Sequence, residues 1–429
     1  MRLPSDSRTV RVLQRRWFLS VPVGLTLAAL ACSSDPGTGG ISIPAAGAGG
    51  SAAGSSTAGA GGTTSPAGGA SGAGQTTAGA SGAAGSVAGG GNAGAPGGAG
   101  AGGSAGAAGS GTAGGGSTGM DTPPVRPLMI DPATAKNNQF TFTAKQLDPM
   151  AGTSTTDTHA GDNEYAVVKT NQKVGNTPVP VRGKLVMTLG GIGGCCGQGG
   201  IGGFAVGLGF HHLAIAMQTK ISSAPDEYKK VPEAMRTDEQ NRQMGDGRME
   251  AWDGKDRVSW LDINVHDSLA YRAALALKYM QTQDPGGDWA YFLNADDTVR
   301  WSDVYLVGYS YGSQTLAVVA KYVRIGRGIA TSGPSDEGFP NATWIHQTSA
   351  TPLDRMYGMF GSTNLDVFVP TTQAAGWLGE PLTVNAGAAA GSFGMSHRFI
   401  LQGQGHGEFC AGDGGDWKAL CQYAFGVTQ

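Results

Sequence analysis

The chain has 429 residues and a formal net charge of −3, from 29 basic and 32 acidic side chains. That near balance leaves no electrostatic footprint for nucleic acid as a partner. Its 74 glycines are far above an ordinary share and most lie in one tract; beyond that tract no segment has the ~18 uninterrupted apolar residues of a membrane span.

The first stretch, "MRLPSDSRTVRVLQRRWFLSVPVGLTLAALACSS", has a basic start, a short apolar run and a small-residue end. It reads as a signal peptide over residues 1–32 rather than a membrane helix. "QRRWFLS" resembles the twin-arginine export motif at Arg15-Arg16, with Phe18 and Leu19 in the expected places. "AALAC" resembles the bacterial lipoprotein cleavage box, in which Cys32 carries the lipid. Together these imply an exported protein of the cell envelope, an outer-membrane lipoprotein held to the membrane by its N-terminal anchor. Simple secretion without lipidation of Cys32 is the other reading. Residues 33–122 are almost only Gly, Ala, Ser and Thr, with neither a strict Gly-X-Y period nor much proline. Such a segment has nothing to pack and cannot offset its ordering entropy, so a disordered tether is expected. At roughly 5–6 Å × √n, about 85 residues reach about 50 Å.

Residues 123–429 are long enough for a sizeable core. "NNQFTFTAKQL" and "NEYAVVKTN" predict early antiparallel strands. "GKLVMTLGGIGG" gives an apolar strand ending in a glycine loop, and a short helix and a second strand follow through "FAVGLGFHH" and "LAIAMQT". The polar stretch from Lys220 to Val258 reads as a surface excursion, a lid or a binding loop. In "DSLAYRAALALKYMQTQDP", Leu269, Ala273, Leu277 and Met280 have helical spacing, with Asp267 or Ser268 as N-cap and Pro285-Gly286 as the stop. "DVYLVGYS" is a strand and "SQTLAVVAKYV" the helix after it. "GRGIATSGPSDEG", "RMYGMFGSTNLDVF" and "SHRFILQGQGHGEF" are three more strands, each followed by a loop. Apolar strands alternating with helices predict a mostly parallel sheet with helices on both faces, its ligand loops at the carboxyl ends of the strands.

Ser310 stands in Gly308-Tyr309-Ser310-Tyr311-Gly312, between a strand and a helix, which is the context of a nucleophile elbow. A serine needs a base. His406, in "GQGHGEF" after the last strand, is the candidate; His159, His266, His346 and His397 lie in polar or connecting segments. The acid that orients the imidazole is sought between them: Asp366, in the loop after its strand, with Asp336 one strand earlier as the alternative. Asp354 precedes its strand and falls at the wrong end. The loop "GGIGGCCGQGGIGG" offers backbone N–H groups for an oxyanion, with Ile192 N–H pairing with Tyr311 N–H. It lacks the Lys-Ser/Thr of a phosphate loop and fits G-x-G-x-x-G poorly, so no nucleotide cofactor is expected. Cys195, Cys196, Cys410 and Cys421 in an exported protein suggest disulfides of open connectivity, the adjacent pair being poorly placed to bridge each other. A metal site from Cys195, Cys196, His211 and His212 matches no zinc spacing, and no metal is expected.

The motifs "TLGGIGG", "GYSYG", "GSTNLDVFVP" and "GQGHGEF", in that order over about Gly183 to Phe409, resemble the α/β-hydrolase superfamily. More narrowly, the run from "ALKYMQTQDPGGDWAYF" through "GYSYGSQTLAVVAKY", "TSGPSD" and "ATPLDRMYG" is similar to a little-characterised group of exported bacterial esterase-like proteins. In that group a Pro-Gly pair usually stands where this chain has Gly190-Gly191. The resemblance implies a serine hydrolase working through an acyl-enzyme on a small-molecule or polymer ester, of EC class 3.1.1. A non-catalytic surface or binding protein on the same scaffold is the alternative, and a serine peptidase a further one. Trp252, Trp344 and Trp377 are candidates to line a sugar or aryl site. The sequence sets no oligomeric state.

Overall fold

Every residue of the strand Leu185–Leu189 is buried, as a central parallel strand covered on both faces requires. The computed structural model describes residues 126–156, 158–191, 200–217, 230–335, 341–362, 365–407, 409–412 and 414–427. Its strands in chain order are β1 (Phe140–Phe142), β2 (Glu164–Val167), β3 (Lys173–Val174), β4 (Thr177–Pro178), β5 (Leu185–Leu189), β6 (His211–Ala214), β7 (Val304–Tyr309), β8 (Arg327–Thr331), β9 (Met356–Gly361), β10 (Leu382–Val384) and β11 (Arg398–Leu401). The helices are α1 (Ala144–Leu147), α2 (Ile201–Gly207), α3 (Asp238–Asp253), α4 (Leu269–Gln283), α5 (Tyr311–Tyr322), α6 (Leu365–Ala374) and α7 (Lys418–Ala424). Among the described residues, no helix is long and apolar enough to cross a membrane.

Nine strands form one sheet in the order β1-β2-β6-β5-β7-β8-β9-β11-β10, with β3 and β4 a separate hairpin. β2 is antiparallel to both β1 and β6. Every other pairing in the large sheet is parallel. An antiparallel edge, the β5–β6 crossover and the parallel run β5-β7-β8-β9-β11 make this the α/β-hydrolase fold. The expected parallel sheet is present.

Alternate residues of the strands feed two cores, because successive strand side chains point to opposite faces. Leu185, Met187 and Leu189 of β5 join Val304 and Leu306 of β7, with Met249 and Trp252 of α3, Leu277 of α4 and Leu316 of α5. Val186 and Val307 lie in the opposite layer with Phe204 of α2 and Leu420 of α7. The helices therefore cover both faces.

Several expectations are corrected here. The stretch from Lys220 to Val258 is not a surface excursion over its described part. Residues 238–253 form α3, which buries Met244, Gly245, Gly247, Arg248, Met249, Glu250, Ala251 and Trp252. A capping box starts it: Thr237 Oγ1 accepts the Gln240 N–H while the Gln240 side chain accepts the Thr237 N–H. Buried Glu250 then accepts the N–H groups of Arg257 and Val258 at 2.8 and 3.0 Å, which fixes the following loop, and burial raises its carboxyl above the usual range. Trp252, Trp344 and Trp377 are core residues, at 3%, 1% and 5% exposure, and line no open sugar or aryl site. Asp366 stands in the first turn of α6 rather than in a loop. β10 is an edge strand that the sequence pattern did not show. Ser268, not Asp267, is the N-cap residue of α4, and its hydroxyl donates to Val265 O instead of capping the helix. Asp267 instead accepts the N–H groups of Gly152 and Ser154.

The start of the described chain is tied down at specific points. Arg126 pairs with Asp288, which also accepts the Met129 N–H at 2.6 Å, and Asp284 accepts the Lys136 N–H at 2.8 Å. Residues 1–32, expected to be a signal peptide, with Cys32 among them, and the Gly-rich tract lie outside the described residues.

Among the described residues, Cys410 and Cys421 form a disulfide with Cα atoms 5.7 Å apart. Cys195 and Cys196 lie outside the described residues. His211 and His212 are adjacent in β6 and so point to opposite faces, which prevents one ion from taking both. His211 Nε2 lies 2.6 Å from Gly287 O with its ring against Trp289 and Phe292, and His212 Nε2 lies 3.1 Å from Thr188 Oγ1. Burial pushes both imidazoles down to about 4, so they are neutral core residues at pH 7.

Lys321 of α5 is buried, and its Nζ donates to Gln347 O at 2.8 Å and Ala375 O at 3.0 Å. Burial pushes this ammonium down to about 8 from the ordinary 10.5. The folded chain thus loses the proton before the unfolded chain does. Between those two values the unfolded state binds more protons, so this group's contribution to stability rises with pH. Urea unfolding of wild type and Lys321→Met from pH 7.5 to 10 is expected to show the wild type gaining relative to the variant as pH rises. A flat or falling difference would contradict the burial effect.

Candidate active site

β7 ends at Tyr309 and α5 begins at Tyr311, so Ser310 alone makes the turn between them. Its backbone has φ 50° and ψ −111°, a conformation that costs a non-glycine residue about 1–3 kcal/mol. Neighbouring groups impose it. Ser310 N–H donates to Thr331 O at 2.8 Å, and Ser310 O accepts the Ser313 N–H at 3.0 Å. The fully buried Ser313 Oγ lies 2.7 Å from Gly308 O and 2.8 Å from Thr331 O, and accepts the Thr331 N–H at 3.0 Å. A side chain at Gly308 would collide with the backbone of Gly312, and one at Gly312 with the carbonyl of Leu189 at the end of β5. The two glycines are thus required by close backbone approach on both sides of the serine.

Ser310 is half-buried, and its hydroxyl makes no capping bond to the helix it opens. The twelve-residue α5 directs its N-terminal dipole to this point, where negative charge is stabilised. Tyr311 is the first helical residue, so its N–H faces out of the first turn rather than into the helical ladder. Gly191 at the start of the glycine loop faces the serine; a Cβ there would stand 3.5 Å from Ser310 Cβ. Ile192 lies outside the described residues.

His406 follows β11 in an exposed position, and its ring centroid lies 5.5 Å from that of Tyr309, the residue before the serine. Both therefore sit at the carboxyl end of the sheet, since β7, β8, β9 and β11 are all parallel. Ser362, at the end of β9, donates from its N–H to Gln404 O at 2.8 Å and joins the segment before α6 to the His406 loop. Asp366 lies exposed four residues further on. Asp336 is outside the described residues, but Ser335 immediately before it is buried beside α5, where its Oγ accepts the Gln314 amide at 3.3 Å.

Three of the other candidate histidines are engaged away from this place. His159 Nδ1 lies 2.8 Å from Asp162, His266 Nδ1 lies 2.6 Å from Asp148, and His397 stacks on Tyr357 at 4.2 Å with its imidazole pushed down by burial.

Sequence reading missed three residues at the site. Ser313 and Ser332 brace backbone turns, and nothing local separates them from ordinary turn serines. Buried Arg248 of α3 lies 5.0 Å from the Tyr311 ring centroid and donates to Gln314 Oε1 at 2.6 Å, tying α3 to the first turn of α5. The capping box at Thr237 was the signal that could have placed this helix.

No protein-family model matches the sequence. No curated protein matches it either. Solved structures similar to it include a Thermus thermophilus protein at 15% identity, covering 63% of this chain and 95% of that one with a TM-score of 0.29. Esterase 2 of Thermogutta terrifontis is 12% identical, covers 68% of this chain and 93% of its own, and has a TM-score of 0.29. An alpha-beta serine hydrolase homologue from Coxiella burnetii is 11% identical, with 63% and 89% covered and a TM-score of 0.29. Likeness of that size carries no argument about chemistry, which must come from the residues.

Proposed function

We propose that this chain is a serine hydrolase that cleaves carboxylic esters through an acyl-enzyme. The observation that carries the reading is Ser310 itself. It is held at positive φ between two obligatory glycines, its hydroxyl is unused by the helix, and His406 is brought to the same end of the sheet. In this reading Ser310 Oγ attacks the ester carbonyl as His406 takes its proton, and the N–H groups of Ile192 and Tyr311 receive the oxyanion. The protonated His406 gives its proton to the leaving alcohol, and water then releases the acid by the same route in reverse. The chemistry uses no metal or organic cofactor. The sequence features at Arg15-Arg16 and Cys32 extend the proposal to an exported enzyme anchored in the cell envelope by lipid, acting on small-molecule or polymer esters.

Labelling by a fluorophosphonate probe and turnover of p-nitrophenyl acetate test the reading; a folded protein that shows neither overturns it. The acid is assigned by a second comparison. Asp366→Asn is expected to lower kcat at least about 100-fold, and Asp336→Asn to leave it within about threefold. The reverse ranking would move the role to Asp336.

A further inference from the structure

Resting on that reading, we infer that Ser332 is a positioning residue for His406, acting through the backbone of Gly407. Ser332 follows β8, is 2% exposed and has φ 53°. Its N–H donates to Met359 O at 2.9 Å, which fixes the residue to β9. Its hydroxyl makes two bonds to one residue: Oγ donates to Gly407 O at 2.7 Å and accepts the Gly407 N–H at 3.0 Å. Gly407 directly follows His406, so one side chain fixes both polar groups of the next residue.

The other side of the histidine is held at Gln404 and Gly405. Gln404 O accepts the Ser362 N–H at 2.8 Å, and Gly361 has no room for a side chain against the Gly405 carbonyl. Before His406 the Gln404 carbonyl accepts both the N–H and, at 3.2 Å, the hydroxyl of Ser362, and after His406 the Ser332 hydroxyl holds both polar groups of Gly407. Three glycines, Gly403, Gly405 and Gly407, surround the histidine and supply no stiffness of their own. An imidazole that must meet Ser310 Oγ at hydrogen-bond distance tolerates little drift, since a misplacement of about 1 Å can cost about 100-fold in rate. Ser332 also continues from Thr331, whose carbonyl accepts the Ser310 N–H, so the same short segment holds the nucleophile's backbone and the base's loop in register.

The test compares Ser332→Ala and Ser332→Gly with Thr351→Val. Thr351 makes the same kind of double bond, donating to Val323 O at 2.8 Å and accepting the Ile325 N–H at 3.0 Å, but at the opposite end of the sheet, before β8 and β9 begin. Glycine at 332 also suits the positive φ, which protects folding. Rates are taken per site titrated by a fluorophosphonate, so unfolded protein does not count. Both Ser332 variants are expected to lose about 20- to 100-fold in kcat with KM within about twofold, while Thr351→Val lowers Tm and keeps the wild-type kcat per site. Wild-type kcat per titrated site in the Ser332 variants overturns the inference, as does a change confined to KM. Absence of labelling in the wild type would instead overturn the hydrolase reading on which it rests.

Discussion

Ser310→Ala is expected to abolish fluorophosphonate labelling and lower ester turnover by roughly 10,000-fold or more, with Tm unchanged. Ser310→Gly is expected to be equally inactive yet more stable, by about 1 kcal/mol. The difference follows from the backbone. At φ 50° and ψ −111° the Cβ of residue 310 is itself the source of strain, and alanine keeps that atom. Glycine removes it, at the smaller cost of a more flexible unfolded chain. The conformation is kept although a glycine would relieve it, which is the pattern of a residue retained for its side chain. Thermal unfolding of the three proteins, with probe labelling in parallel, separates the outcomes. Equal activity in Ser310→Ala and wild type would remove Ser310 from the chemistry. A glycine variant less stable than the alanine one would show that the turn is not strained.

Much of this arrangement was legible because its causes are local. β5 and β7 read as buried strands because parallel strands covered on both faces need apolar residues at almost every position. The sharp strand-to-helix turn was legible from Gly308, which answers to the backbone of Gly312 and Ser313 within a few residues of Ser310, whereas Gly312 answers to the distant Leu189 carbonyl. α3 was hidden by its composition: "DEQNRQMGDGRMEAWD" is polar, and the residues it buries include Arg248, Glu250 and two glycines. Their burial depends on distant partners, Gln314 for Arg248 and Trp344 for Gly245, which no window on the sequence contains. The three tryptophans failed for a related reason, since a large aromatic side chain serves a core or a ligand pocket with the same letter. Asp366 reads as a loop residue, and Pro370 inside α6 shows why: proline argues against a helix except near its start, where few N–H groups have helical partners. Ser332 was beyond reach, because its meaning lies in Gly407, 75 positions away.

Arg272→Met is expected to destabilise the fold by about 3–5 kcal/mol near pH 8, and by less at pH 5. Arg272 of α4 and Glu164 of β2 are 2% and 0% exposed, and their ion pair joins the antiparallel edge of the sheet to the helix that covers it. Arg272 also donates to Thr158 O at 2.9 Å, holding the loop before β2. Burial already raises the Glu164 carboxyl above its usual range, with the Arg272 charge and hydrogen bond opposing that rise. Removing the arginine removes the opposition, so the carboxyl rises further in the folded state. A carboxyl whose folded value exceeds its unfolded value contributes fully below the unfolded value and loses that contribution as pH climbs through the folded one. The variant should therefore weaken progressively from pH 5 to pH 8 relative to wild type. Glu164→Gln combined with Arg272→Met leaves no charge behind and is expected to recover most of the loss, since the penalty comes from an uncompensated buried ion rather than from the pair's own attraction. Urea unfolding of the three proteins at both pH values decides it. A single variant within about 1 kcal/mol of wild type at pH 8, or a double variant no better than the single one, would show that the pair is not the link between β2 and α4.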